Sequence, residues 1–182
     1  MGMPGHIIVR FGNTVVNFYR HSGGATHTGT LLLQALAEAP SHKQRNHFHE
    51  GGYLVLMLAG MQSAMSLFKE QHNLSKLVDP VQHEFVMIPA ASGEGCIYGL
   101  ELRALENKDP YAPVEWEIRL AEDLEGYEVA DEWLPSASVF TPEQFASYLL
   151  QELPSDPLYT GNPDAAASIR SALEGLPFFQ RS

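Results

Sequence analysis

Three groups of residues in this sequence have types and spacings suited to chemistry. The first is Tyr19-Arg20-His21 at the end of a β-rich run, followed by Gly23, Gly24 and the hydroxyl-rich stretch Ala25-Thr26-His27-Thr28. A glycine-rich turn leading into a helix offers backbone N–H groups and the positive end of a helix dipole, which favour a phosphate or carboxylate. Arg20 could clamp such an anion in bidentate fashion, and His21 or His27 could carry a proton near neutral pH. The same residues also suit an ordinary turn and helix cap, and no Walker or dinucleotide-binding spacing accompanies them.

The second group is His42, His47, His49 and Glu50. On an extended segment His47 and His49 point the same way, so they could give two imidazoles to one divalent metal, with Glu50 or His42 as a third ligand. A polar surface loop containing Lys43 and Arg45 accounts for the same residues. The third group is acidic. Glu115, Glu117, Glu122, Asp123, Glu125, Glu128, Asp131 and Glu132 fall within eighteen positions whose one basic residue is Arg119. Charge runs commonly form a solvated face; the alternative is a docking surface for a basic partner, with Tyr127 and Trp133 as apolar anchors.

The elements that must position these groups follow from periodicity. Two β-rich runs, Ile7 to Phe11 and Thr14 to His21, flank Gly12-Asn13 and predict a tight hairpin. A two-residue loop sets Phe11 against Thr14, Val9 against Val16 and Ile7 against Phe18, which makes one face apolar and core-directed. The other face, His6, Ile8 and Arg10 with Tyr19, Asn17 and Val15, suits either solvent or a cleft. A helix is expected from about Thr30 to Ala39, with Thr26 or Thr28 as cap, and a long, largely apolar helix from about Gly52 to Gln71. Three more strands are expected at Val81 to Ile88, Gly95 to Leu105 and Val114 to Leu120, paired sequentially and antiparallel. The alternation in the last of these predicts a sheet covered on one side. Thr141-Pro142-Glu143-Gln144 is a capping box that opens a helix to about Leu153, and Asn162-Pro163 opens another that ends near Gly175. The fold expected is therefore one α+β domain over residues 1–182. It has a mostly antiparallel sheet of about five strands, packed on a long central helix and shorter helices.

Composition restricts the partners. Eleven Lys+Arg against 22 Asp+Glu give a formal charge of -11, which disfavours duplex nucleic acid. The single cysteine, Cys96, cannot form an internal disulfide and reads as a small buried residue, in keeping with a cytoplasmic location. No secretory pattern follows Met1, and the apolar run Tyr53 to Phe68 is too broken for a membrane span. No Gly-x-Ser-x-Gly elbow is present.

The hairpin that ends in Tyr19-Arg20-His21 and runs through a glycine loop into a helix resembles a group of small bacterial and bacteriophage proteins without an assigned activity. Their motif is of the Tyr-Arg-His-x-Asp-Gly-Tyr-Pro type. Here Ser22 fills the variable place, Gly23 stands where the aspartate is expected, Gly24 keeps the glycine, and Ala25 and Thr26 replace the tyrosine and proline. The resemblance implies a phage or prophage setting. Together these features favour a non-catalytic protein that engages a protein partner through its acidic segment. The alternatives are an enzyme or sensor for a small phosphorylated ligand at Tyr19-Arg20-His21, and a metal-dependent hydrolase at His47 and His49.

Overall fold

The computed structural model describes residues 3–11, 14–20, 23–38, 86–88, 95–106, 108–109, 114–124 and 130–177. Its hairpin consists of β1 (Gly5–Phe11) and β2 (Thr14–Arg20), and the register is the one that the two-residue loop dictates: Phe11 faces Thr14, Val9 faces Val16 and Ile7 faces Phe18. Helix α1 (Gly24–Glu38) follows, then β3 (Val86–Ile88), β4 (Tyr98–Ala104) and β5 (Trp116–Ala121). A single turn, α2 (Ala130–Trp133), and a 3-10 turn (Leu134–Ser136) lead into β6 (Ser138–Phe140). Helices α3 (Pro142–Glu152) and α4 (Pro163–Glu174) complete the order.

Among the described residues the sheet has six strands in the order β3-β2-β1-β4-β5-β6. The α+β class is as expected, and β4 pairs antiparallel with β5 as expected, but β3 does not pair with β4. β4 lies parallel to β1, with Gly5 opposite Tyr98 and Arg10 opposite Arg103, and β3 pairs antiparallel with β2. The sheet is therefore mixed. β1 takes a central place because both of its faces can be buried: Ile7 and Val9 on one, His6 and Ile8 on the other. β6 is three residues long, too short for alternation to reveal it.

On the front face, Ile7, Val9, Phe18, Leu100, Leu102, Ile118 and Leu120 meet Leu31, Leu32 and Leu33 of α1, Phe145 and Leu149 of α3, and Ile169 and Leu173 of α4. The caps of the last two helices are those read from the sequence. Thr141 Oγ1 accepts from the Gln144 N–H while Gln144 Oε1 accepts from the Thr141 N–H, and Asn162 Oδ1 accepts from the Ala165 N–H. α1 begins at Gly24 rather than Thr30, so Thr26 and Thr28 lie inside its first turns and do not cap it. Gly23 and Gly24, with φ of 116° and 62°, make the sharp exit from β2 that permits this early start.

The back face, expected to be wet, is covered in part, while Arg10, Arg103 and Arg119 on it remain 25–33% exposed. Trp133 is fully buried against Ile8 and Ala121, with Leu124, Leu134 and Ala137 around it. Its indole fills the space above Gly99, where a Cβ would approach it to 2.5 Å. This corrects the reading of Trp133 as an exposed anchor: the indole is needed to close the sheet. Beside it His6, 0% exposed, donates from Nε2 to Asn17 Oδ1 at 3.0 Å, and burial holds its pKa below the usual value against the opposing effect of that bond. The long helix expected at Gly52 to Gln71 lies outside the described residues.

Two expectations follow. Gly29 of α1 packs so closely on α3 that a Cβ there would lie 2.8 Å from Phe145 and 2.9 Å from Leu149. Gly29→Ala should therefore destabilise by about 1–3 kcal/mol in urea unfolding, although intrinsic helix propensity alone would favour alanine by roughly 1 kcal/mol. A gain in stability would refute the α1–α3 contact. His6 folds in its neutral form, so the unfolded chain takes up the proton first. Its contribution should be complete above about pH 6.5 and decline as pH falls from there towards its lowered folded value. His6→Gln should flatten the stability profile between pH 7.5 and 5.5, and an unchanged slope would show that His6 is not held neutral.

Candidate functional site

The Tyr19-Arg20 strand end and the glycine turn come together as the spacing implied, but inside the protein. Arg20 is the last residue of β2 and is 0% exposed. Gly23 closes over it: a Cβ at this glycine would stand 3.0 Å from Arg20 Nε and 3.1 Å from His27 Nδ1. Arg20 Nη2 approaches His27 Nδ1 at 3.5 Å, which makes Nδ1 the acceptor and leaves the ring proton on Nε2. Burial lowers the pKa of the guanidinium, while the charge interaction with Tyr98 and Tyr159 raises it. Those two tyrosines were not singled out from the sequence, because β4 and the turn after α3 meet Arg20 only through the folded sheet. Tyr98 shares a 2.7 Å hydrogen bond with Thr28, and burial pushes its phenol up to about 12. Tyr159 is likewise raised, first by burial and then by Asp156. Tyr19 sits half-buried on the other face of β2.

Acidic residues gather at the adjoining end of the sheet, around an open cleft of about 250 Å³. One wall is the turn after β5, with Glu122 and Asp123; the other is the C-terminal end of α3, with Glu152 and Asp156. Ile97, Tyr98, the first turn of α1, Met3 and Pro157 also line it. Asp123 adopts φ of 54°, a left-handed conformation that aspartate and asparagine tolerate better than most residues. Tyr148 donates to Glu122 Oε2 at 2.5 Å. Burial and then Glu122 raise the Tyr148 pKa, so this phenol stays neutral and fixes the carboxylate in place. α3 has no basic residue in its last turn, so the negative end of its dipole adds to the four carboxylates. Asp156 escaped the sequence reading because Pro154 to Pro163 reads there as a mere link, and Glu152 because it reads as an ordinary helix residue.

Of the acidic segment, Glu122, Asp123 and Glu132 are exposed, Asp131 lies in α2, and Glu125, Tyr127 and Glu128 are outside the described residues. So are His21 and the cluster His42, His47, His49 and Glu50. Among the described residues no group of three or more His, Cys, Asp or Glu is placed to hold a metal ion. Cys96 is buried, and burial pushes its thiol up to about 11, as suits a packing residue. No described helix is long and apolar enough to cross a membrane.

No protein-family model, curated protein or solved structure matches the chain. The case for function therefore rests on the geometry above.

The Thr28–Tyr98 bond gives a test of the buried network. Tyr98→Phe leaves the Thr28 hydroxyl buried without its partner and should cost about 1–3 kcal/mol. Tyr98→Phe combined with Thr28→Val removes both polar groups, so in a double-mutant cycle the pair should cost clearly less than the sum of the two single changes. Strict additivity would show that the bond does not form.

Proposed function

We infer that this protein is a non-catalytic binding module whose acidic cleft receives a lysine or arginine side chain of a partner protein. The observation that carries the reading is the convergence of Glu122, Asp123, Glu152 and Asp156 on one cleft that Met3, Ile97 and Pro157 also line. A long basic side chain matches both features: its methylene stem lies along Met3, Ile97 and Pro157, and its charged end meets the carboxylates. The guest cation would also supply the positive charge that the last turn of α3 lacks. The overall charge of -11 steers basic partners toward the protein before contact. Tyr148 holds Glu122 by a hydrogen bond, so the cleft presents a fixed carboxylate to a cationic guest.

The reading is tested with a fluorescently labelled Lys/Arg-rich peptide at 0.15 M salt, where exposed charges more than about 8 Å apart are largely screened. The triple change Asp123→Asn, Glu152→Gln and Asp156→Asn should weaken binding at least about tenfold, or ~1.4 kcal/mol. Removing the same number of charges elsewhere, at Glu143, Asp164 and Glu174, should weaken it less than about twofold. Equal losses from the two sets would mean that net charge alone attracts the peptide and that the cleft is not the site.

A further inference from the structure

On the back face, away from α1, α3 and α4, register sets charged residues in two adjoining rows across β1, β4 and β5. Ile8, Glu101 and Arg119 form one row, and Arg10, Arg103 and Glu117 the next. Arg10 and Arg103 are therefore direct cross-strand neighbours of like charge, an arrangement that opposes sheet formation unless an anion intervenes. Glu101, 0% exposed, supplies part of the compensation. Its Oε1 accepts from Arg10 Nε at 2.8 Å and from Arg103 Nη2 at 3.1 Å. Arg119 donates from Nε to Glu117 Oε1 at 2.8 Å, and this nitrogen stands 3.7 Å from Glu101 Oε2, beyond hydrogen-bonding distance.

Two buried polar atoms of the cluster have no hydrogen bond: Glu101 Oε2, an acceptor, and Arg103 Nε, a donor. Among the described residues, the cluster also holds three guanidinium groups against two carboxylates, a surplus of one positive charge. The three arginine side chains are 25–33% exposed, so each of them reaches solvent. A single occupant that meets all of these conditions must be anionic, must accept from a fork of N–H donors and must also carry a proton to give to Oε2.

The geometry points to a site for a phosphate monoanion, either inorganic phosphate or a small phosphomonoester. Its unprotonated oxygens accept from Arg10, Arg103 and Arg119, and a P–OH donates to Glu101 Oε2. Arg119 is the group that swings aside to admit it, since its contact to Oε2 is already long. Sulfate has the same size and shape but no proton at neutral pH, so its oxygens would face the buried carboxylate without a hydrogen bond between them. A carboxylate ligand fails for the same reason. Discrimination between isosteric anions by one buried acceptor is the property that separates this site from a merely basic patch.

The first measurement is on the wild-type chain, following the arginine Nε–H resonances by NMR during titration with inorganic phosphate, glycerol phosphate or sulfate at constant ionic strength. The Arg103 Nε–H signal should shift saturably with phosphate or glycerol phosphate and stay in place with sulfate. Tighter binding of the ester assigns the site to phosphomonoesters, and tighter binding of the free ion to inorganic phosphate. Glu101→Gln, whose amide can donate to any anion, should reduce the preference for phosphate over sulfate about tenfold. An equal response to sulfate, or no response to either phosphate, overturns the proposal, and neither result depends on whether the Glu101 variant folds.

Discussion

Strand β1 is hydrogen-bonded along both edges, antiparallel to β2 and parallel to β4, and both of its faces carry buried side chains. The rest of the described structure depends on this placement. The apolar side chains Ile7 and Val9 fix the layer against which α1, α3 and α4 pack. The opposite side chains set His6 beside Trp133 and bring Arg10 level with Arg103. A shift of one residue in either register would exchange the two faces and place charged groups in the main core.

The same strands separate charge of opposite sign. Where β1 and β4 begin, Met3 and Ile97 line the acidic cleft; toward the other end, on the back face, Arg10 and Arg103 bracket Glu101. Between the two, Arg20 is sealed from solvent beneath Gly23 and among tyrosines. Its positive charge thus serves the interior, and the carboxylates of the cleft stay free to face outward. Among the described residues of a chain with 22 acidic residues, strand register gathers arginines from three strands into one basic spot.

Local signals in the sequence proved reliable where the physics is local. The hairpin register followed from a two-residue loop, and both C-terminal helices from Thr141, Asn162 and the prolines after them. The meeting of Arg20, Gly23, His27 and Thr28 was legible because only a few residues separate them. What was not legible depends on long-range pairing. Nothing in Tyr98 to Ala104 announces that its partner is β1, since Leu100 and Leu102 alternate with Glu101 and Arg103 as they would in an antiparallel strand. The same blindness hid Tyr98 and Tyr159 behind Arg20, the joining of Glu152 and Asp156 to Glu122 and Asp123, and the burial of Trp133. An indole in an acidic stretch reads as a surface anchor until Gly99 is known to lie opposite it.

The parallel pairing of β1 with β4 also has a kinetic side. Gly5 finds its partner Tyr98 more than ninety residues further along the chain. Closing so long a loop costs little more free energy than closing one half as long, but contacts this distant slow the search for the native arrangement. During synthesis the hairpin emerges first and must wait on the order of ten seconds, at 5–20 residues per second, before β4 exists. Throughout that interval one edge of β1, with Ile7, Ile8 and Val9, is an unpaired apolar strand able to join any other chain that offers a complementary edge. The nascent protein is therefore most exposed to misassembly between the completion of β2 and the arrival of β4. That is the stage at which a holding chaperone would have the greatest effect on yield.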